Sequence, residues 1–358
     1  MKRSHSYNSN INYSLSNNPI KLAIIGAGRA GEFHVNSLSI NKQFSLLYII
    51  DSCEEKAMNL SIKAKCNYHN DIKYVLNNID IQAVIICTTT PTHYNITMQC
   101  LDAGKHVLCE KPLGKDETEI TNCFTLANSL NLKLLVAYQK RFDIHYSKLY
   151  EFIKDKNPQN IYLTTRDHPM PALNYLETSN GIVEDMMSHD IDIANLYMNF
   201  KLPEKVVAFT YTHNTDLQNI NEIEGIEIMM HYKDGQIVNL SGSRDAKHGY
   251  DQRVEIYGSF GLYKLDNQLD TTIQYFDPNG STKSKMNYSF KQRYNEAYLH
   301  ELDYFYKMIN DNYAPLVEEY HLIMCKKICN AINKSILNNE IIYLDDNSLR
   351  TYEIDTPQ

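Results

Sequence analysis

The sequence predicts an α/β protein, a doubly wound parallel sheet followed by an α+β domain built on a mostly antiparallel sheet. Three observations carry this. Up to residue 138, short continuous apolar runs alternate with helix-length amphipathic stretches, as strands buried on both faces by crossover helices do. Beyond about residue 141 the strand patterns change to polar-apolar alternation. Asp234-Gly235 then stands between two such runs, a dipeptide suited to the tight turn of a hairpin.

Residues 22–25 open the parallel sheet, and runs at 45–50, 83–87, 106–108 and 132–137 continue it. Between them, 54–65, 93–103 and 117–130 have helical spacing, and Gly104 marks a helix stop. In the second part, 205–213, 226–233 and 236–243 read as strands, and helices are expected at about 185–199, 296–309 and 317–337. At 358 residues two domains are expected: a flexible tail over 1–19, a first domain over 20–142 and a second over 143–358.

Composition narrows the function classes. Hydrophobic residues at 43% and charged residues at 22% are globular values. A net charge of -8 argues against nucleic acid as the partner, since phosphate contacts need clustered Lys and Arg. No apolar run reaches the roughly 18 to 20 residues that cross a bilayer, so no membrane partner is expected. Residues 1–19 carry Lys2 and Arg3 but no apolar h-region, which reads as a tail rather than a secretory signal. Eight cysteines lie mostly within strand or helix patterns, as reduced thiols of a cytoplasmic protein do. Cys325 and Cys329 lack a partner pair with metal spacing, so no metal is expected.

The first strand runs into Gly26-Ala27-Gly28-Arg29-Ala30-Gly31 and then a helix. Glycines there permit a tight turn and let the backbone approach a pyrophosphate, while the helix N-terminus offers free N–H groups to the anion. The second strand ends in Asp51, 20 residues after Gly31, where a carboxylate accepts from both ribose hydroxyls and repels a 2′-phosphate. The cofactor expected is NAD, held in a Rossmann domain. The glycines also suit a plain surface turn, and Asp51 with Glu54 also suits a helix cap. Thr88, Thr89, Pro91 and His93 follow the third long strand at its carboxyl edge, where such sheets bind ligands, although Pro91 and Thr92 are equally ordinary helix-start residues.

Removing a hydride from a carbinol carbon requires a base near neutral pKa and a positive group for the developing alkoxide. Two stretches offer them. Glu110-Lys111-Pro112 ends a strand on the cofactor side of the sheet, and Asp185 to Asp192 lies in the second domain. Asp185 and His189, four apart on a helix, share a face and can pair as carboxylate and imidazole. A solvated helix face and a turn lysine account for the same residues without chemistry.

These stretches together resemble the Gfo/Idh/MocA oxidoreductases, with the myo-inositol 2-dehydrogenase-like members most similar. The matching segments include residues 27–34, Thr88-Thr89-Thr90-Pro91-Thr92-His93, Glu110-Lys111-Pro112-Leu113, residues 138–143, Gly181 to Asp192, Gly249-Tyr250-Asp251-Gln252-Arg253 and residues 293–298. The resemblance implies an open-faced sheet in the second domain that carries the substrate site and mediates homo-oligomerisation, as a dimer or tetramer. It implies that Lys111 contacts the reacting hydroxyl and His189 acts as acid/base with Asp185 beside it. It further implies that Asp167 binds substrate hydroxyls, with Tyr250 and Arg141 as further pocket residues. The family usually has two glycines where this chain has Asn180-Gly181, and a proline where it has His168.

The implied activity is reversible NAD-linked oxidation of a secondary hydroxyl on a small-molecule cyclic polyol or sugar, with myo-inositol the first substrate to test and chemistry in the cleft between domains. The alternatives are a dehydrogenase of another sugar or a trans-dihydrodiol, and a non-catalytic NAD-binding regulatory protein. Retention of both Lys111 and His189 speaks against the last.

Overall fold

The computed structural model describes residues 19–345. The expected tail falls outside them except for Pro19. The described residues form two compact units: 19–144 with 294–319, and 145–293 with 320–345. A single cut after residue 142 is therefore corrected, because a late stretch returns to the first unit. Its sequence gives the reason. Leu302, Phe305 and Met308 recur at three-residue spacing and are at most 1% exposed, packed into the core that holds Phe44, Leu135 and Phe142.

The first unit alternates strand and helix as the apolar runs require: β1 (Ile20–Ile25), α1 (Arg29–Ile40), β2 (Phe44–Ile50), α2 (Glu54–Ala64), β3 (Asn67–His69), α3 (Lys73–Leu76), β4 (Ala83–Ile86), α4 (His93–Asp102), β5 (His106–Glu110), α5 (Glu117–Ser129) and β6 (Leu134–Ala137). Its six strands lie in the order β3-β2-β1-β4-β5-β6, all parallel. This is the Rossmann order. The order reverses between β1 and β4, so their carboxyl ends border the crevice where doubly wound sheets bind nucleotides. Leu22, Ile24, Ile85, Val107, Leu108 and Leu135 are wholly buried. Each such side chain contributes roughly 1.5 to 3 kcal/mol by leaving water.

The second unit contains α6 (Ile144–Ile153), β7 (Asn160–Arg166), α7 (Leu173–Leu176), α8 (Ser188–Tyr197), β8 (Lys205–Tyr211), α9 (Thr215–Asn219), β9 (Gly225–His231), β10 (Ile237–Ser243), β11 (Asp251–Gly258), β12 (Gly261–Leu265), the hairpin β13 (Gln274–Asp277) and β14 (Gly280–Lys283), α11 (Glu319–Asn338) and β15 (Ile342–Tyr343). The remaining helix, α10 (Phe290–Asn310), belongs to the first unit from Tyr294. The sheet order is β12-β11-β7-β10-β9-β8-β15, antiparallel except for the parallel pair β7 and β10. Asp234-Gly235 turns β9 into β10, with Gly235 at φ +79°. Alternation sends Leu163, Ile228, Leu240 and Val254 inward, where they are buried, and leaves Tyr162, Phe209, Met229 and Tyr257 exposed on the other face.

One helix differs from expectation. The stretch read as a continuous helix from 185 begins as a π-turn, Val183–Met187, before α8 starts at Ser188. Here Met186 and Met187 press against Gly242 of β10, where a Cβ would collide with both methionine side chains.

Candidate active site

In the first unit the glycines divide the work of the turn. Gly26 has φ +108°, and a Cβ on it would strike the Cys87 carbonyl and the Thr88 amide, so the ends of β1 and β4 approach as only glycine allows. A Cβ on Gly31 would strike the Gly26 carbonyl. Gly28 is free of such neighbours. It is the N-cap of α1, no side chain caps the helix there, and a Cβ on it would meet nothing within 4 Å. Beside it the first N–H groups of α1, at Arg29, Ala30 and Gly31, form the start of a helix of the kind that binds phosphate.

Asp51 follows β2. Its Oδ2 accepts from the Ala27 N–H at 2.8 Å, and its Oδ1 from the Cys53 N–H at 2.9 Å. The cap of α2 is Cys53, not Asp51, so the carboxylate ties the end of β2 to the glycine turn instead. After β4, Pro91 lies in the turn Thr90–Thr92. The Thr92 hydroxyl donates to Thr88 Oγ1 at 2.8 Å and is 2.7 Å from the Thr89 carbonyl. His93 is buried, with Nδ1 2.8 Å from the Pro112 carbonyl oxygen and Nε2 3.0 Å from that of Thr88. Its ring braces the turn after β4 against the turn after β5. Glu110 closes β5, its Oε1 2.9 Å from Nε2 of His34 on α1, and Lys111 precedes a cis proline. Arg141, expected in the pocket, is 3% exposed and donates to the Leu316 carbonyl at 3.3 Å.

The second unit gathers acidic groups around one guanidinium. Arg244, just past β10, is 1% exposed. Its Nη1 donates to Asp185 Oδ2 at 2.7 Å, and its Nε and Nη2 to Glu222 Oε1 at 3.0 and 2.8 Å. Burial alone would lower its pKa, but the carboxylates of Asp185, Glu222 and Asp167 outweigh that and raise it. The other oxygen of Asp185 accepts from the Tyr175 hydroxyl at 2.7 Å. Asp167 is fixed through its backbone, donating to the Ser243 carbonyl and accepting from Ala246, both at 2.8 Å. Burial, then Asp167, Tyr146 and Asp190, push the Tyr250 phenol well above its usual range, which keeps its O–H as a donor. His189 stands in the first turn of α8, next to Asp190, whose Oδ1 accepts from Thr165 at 2.8 Å. The unit thus brings Asp167, Asp185 and Tyr250 to one neighbourhood.

Residues 20–138 match the model of an oxidoreductase family with an NAD-binding Rossmann fold, and 157–264 match the GFO/IDH/MocA C-terminal domain. The chain belongs to the Gfo/Idh/MocA family. It is 28% identical over 331 residues to a myo-inositol 2-dehydrogenase of Thermotoga maritima, covering 91% of this chain and 99% of that protein. It is 30% identical over 293 residues to an inositol 2-dehydrogenase of Rhizobium meliloti, covering 80% and 87%. Among solved structures, a probable dehydrogenase from Thermotoga maritima superposes with TM-score 0.84 at 28% identity, covering 90% of this chain and 98% of that one. The scyllo-inositol dehydrogenase of Lactobacillus casei with NAD(H) and scyllo-inositol bound shares the fold, with TM-score 0.84 at 23% identity over 91% and 99%.

Membership in the Gfo/Idh/MocA family makes this chain an NAD-binding oxidoreductase, and the residues of the first unit fit that cofactor. The open side of Gly28 and the uncapped start of α1 suit a pyrophosphate, and Asp51, held at the end of β2, suits ribose hydroxyls. The departure at Asn180-Gly181 costs no backbone geometry, because Asn180 adopts φ +66°, a conformation asparagine tolerates. Sequence reasoning missed Arg244, Glu222 and Tyr175. A lone Arg after a strand carries no local signal; the pairing of β9 with β10 sets it near Glu222, and the π-turn packed on Gly242 brings Asp185 to it.

Proposed function

We propose that this protein is an NAD-dependent dehydrogenase that oxidises a secondary hydroxyl of a cyclic polyol to a ketone, with myo-inositol the first substrate to test. The observation that carries the reading is the cluster Asp167, Asp185, Arg244 and Tyr250, a set of fixed acceptors and a phenolic donor such as a ring bearing several hydroxyls requires. The names of the two relatives point the same way.

In this reading NAD, when bound, accepts the hydride. Lys111 supplies the ammonium that favours the alkoxide, and His189 takes the hydroxyl proton. Asp185, held by Arg244 and Tyr175, keeps a fixed negative charge near the start of α8, and Asp167 and Tyr250 orient the remaining hydroxyls. The exposed apolar residues Tyr162, Phe209, Met229 and Tyr257 on one face of the sheet support a homo-oligomer assembled through that face. Free thiols at all eight cysteines suit a reducing compartment such as the cytoplasm.

The test is growth of NADH absorbance when purified protein and NAD or NADP are offered inositols, other polyols, sugars and trans-dihydrodiols. Turnover of a cyclic polyol with NAD supports the proposal. Saturable NADH binding with no turnover of any of them would favour a regulatory NAD-binding protein.

A further inference from the structure

Helix α10 brings Glu301 into the core of the first unit. Its side chain is 0% exposed, and neither carboxylate oxygen has a hydrogen-bond partner among the described residues. A carboxyl is costly in such a place, where leucine would be tolerated. Ionisable groups face this region from every side: Glu110 at the end of β5, Cys87 after β4, Tyr298 one turn back on α10, and Arg29 and His34 on α1. Burial first, then the charge of Glu110, push Glu301 well above the ordinary carboxylate range. Burial and the neighbouring Glu110 charge both disfavour the carboxylate form of Glu301, which favours the neutral acid there.

Glu110 is itself a bridge. Through its 2.9 Å contact with His34 it fastens α1, the helix that starts at the glycine turn, to the end of β5, whose next residue is Lys111. Tyr298 covers the His34 ring edge-on, with centroids 5.3 Å apart. The Glu110 end of this bridge lies on the β4-β5-β6 half of the sheet and its His34 end on the helix after β1, while Asp51 follows β2 on the other half. The two halves of a Rossmann sheet take the two halves of the dinucleotide, so the Glu110-Lys111 turn belongs to the nicotinamide half.

We propose that Glu301 is a positioning residue for NAD, acting through the Glu110 carboxylate and the His34 ring to hold the Glu110-Lys111 turn in register with the glycine turn. The proposal rests on NAD binding by the first unit alone and needs no polyol. Ionising Glu301 places a second negative charge beside Glu110, drives that carboxylate off His34 and loosens the turn.

The test is a fluorescence titration of the full chain with NADH, whose nicotinamide ring is uncharged, from neutral to alkaline pH. Wild-type affinity should fall about tenfold as Glu301 ionises. Glu301→Ala should bind NADH weakly at every pH. Glu301→Gln, equal in shape and permanently neutral, should recover the affinity lost in the alanine variant, and its Kd should stay flat where the wild-type value climbs. Cys87 and Tyr298 also feel the Glu301 charge, so their ionisation moves to lower pH in Glu301→Gln, and a flat Kd in that variant still isolates Glu301.

The proposal is overturned if Glu301→Gln follows the wild-type pH dependence, if the wild type shows none, or if the alanine and glutamine variants bind alike. Should Glu301→Ala fail to fold in a thermal melt, the wild type and the glutamine variant decide the matter between them. Absence of polyol turnover leaves this test intact, since no polyol enters it.

Discussion

Arg244 donates to Asp185 at 2.7 Å from a position 1% exposed, while two more of its N–H groups hold Glu222. The carboxylate proposed to stand beside the acid/base histidine is therefore fixed by a residue 59 positions downstream. Arg244→Met would leave two carboxylates buried without their cation. Removing one partner of a buried ion pair costs about 3 to 5 kcal/mol, so a marked loss of melting temperature is expected. Polyol turnover should fall with it, while NADH titration, which reads the first unit, still saturates. A variant with wild-type stability would show that the guanidinium contributes little.

Gly28 and Gly26 separate folding from cofactor binding. Gly28→Ala adds a methyl into open space at φ -81°, so the fold should hold. The same methyl occupies the approach to the first N–H groups of α1, and NADH affinity should fall at least about tenfold. Gly26→Ala instead forces a Cβ against the Cys87 carbonyl at φ +108° and should destabilise the whole first unit. Equal melting temperatures for the two variants would contradict this division.

Asp51 has both a structural and a selective task. Asp51→Ser loses the acceptor for the Ala27 N–H, and with it roughly 1 kcal/mol of stability. It also removes the charge that repels a 2′-phosphate, so the ratio of NADH to NADPH affinity should narrow. The ratio is read by titrating one variant with both cofactors. If it does not change, Asp51 serves the turn alone.

Asp251 is expected to contribute to acid stability in the second unit. Burial alone would raise its pKa, but hydrogen bonds from Arg253, Asn267 and His248, together with the Arg253 charge, hold it at about 2. A carboxyl depressed in the folded state stabilises above its unfolded value of roughly 4 and loses that contribution as pH falls toward 2. Denaturant unfolding of the wild type should therefore weaken over that window, and Asp251→Asn should flatten the slope. An identical slope in the variant would place the acid sensitivity elsewhere.

Much of this was legible in sequence because the signals are local. Continuous apolar runs specify parallel strands, Gly26 to Gly31 specify the turn, and Asp234-Gly235 specifies a hairpin, each within a few residues. The rest depends on tertiary pairing. Arg244 nears Glu222 once β10 has paired with β9 and meets Asp185 once the Val183–Met187 turn packs on β10, and Leu302, Phe305 and Met308 look like any amphipathic stripe until the core they fill is known. The π-turn Val183–Met187 has no composition that sets it apart from the start of an ordinary helix. Nothing in the sequence around Glu301 reveals its burial.

The proposed reaction joins a nicotinamide cofactor and a cyclic polyol, with Lys111 and His189 as the working groups. The most direct measurement is the initial rate of NADH formation from myo-inositol and NAD by the wild type, Lys111→Ala and His189→Ala, with NADH affinity titrated for all three. The account predicts turnover by the wild type, a loss of roughly 10² to 10⁴ in each variant, and NADH affinities that stay close together. Wild-type rates in either variant, or NADH binding without oxidation of any cyclic polyol, would contradict it.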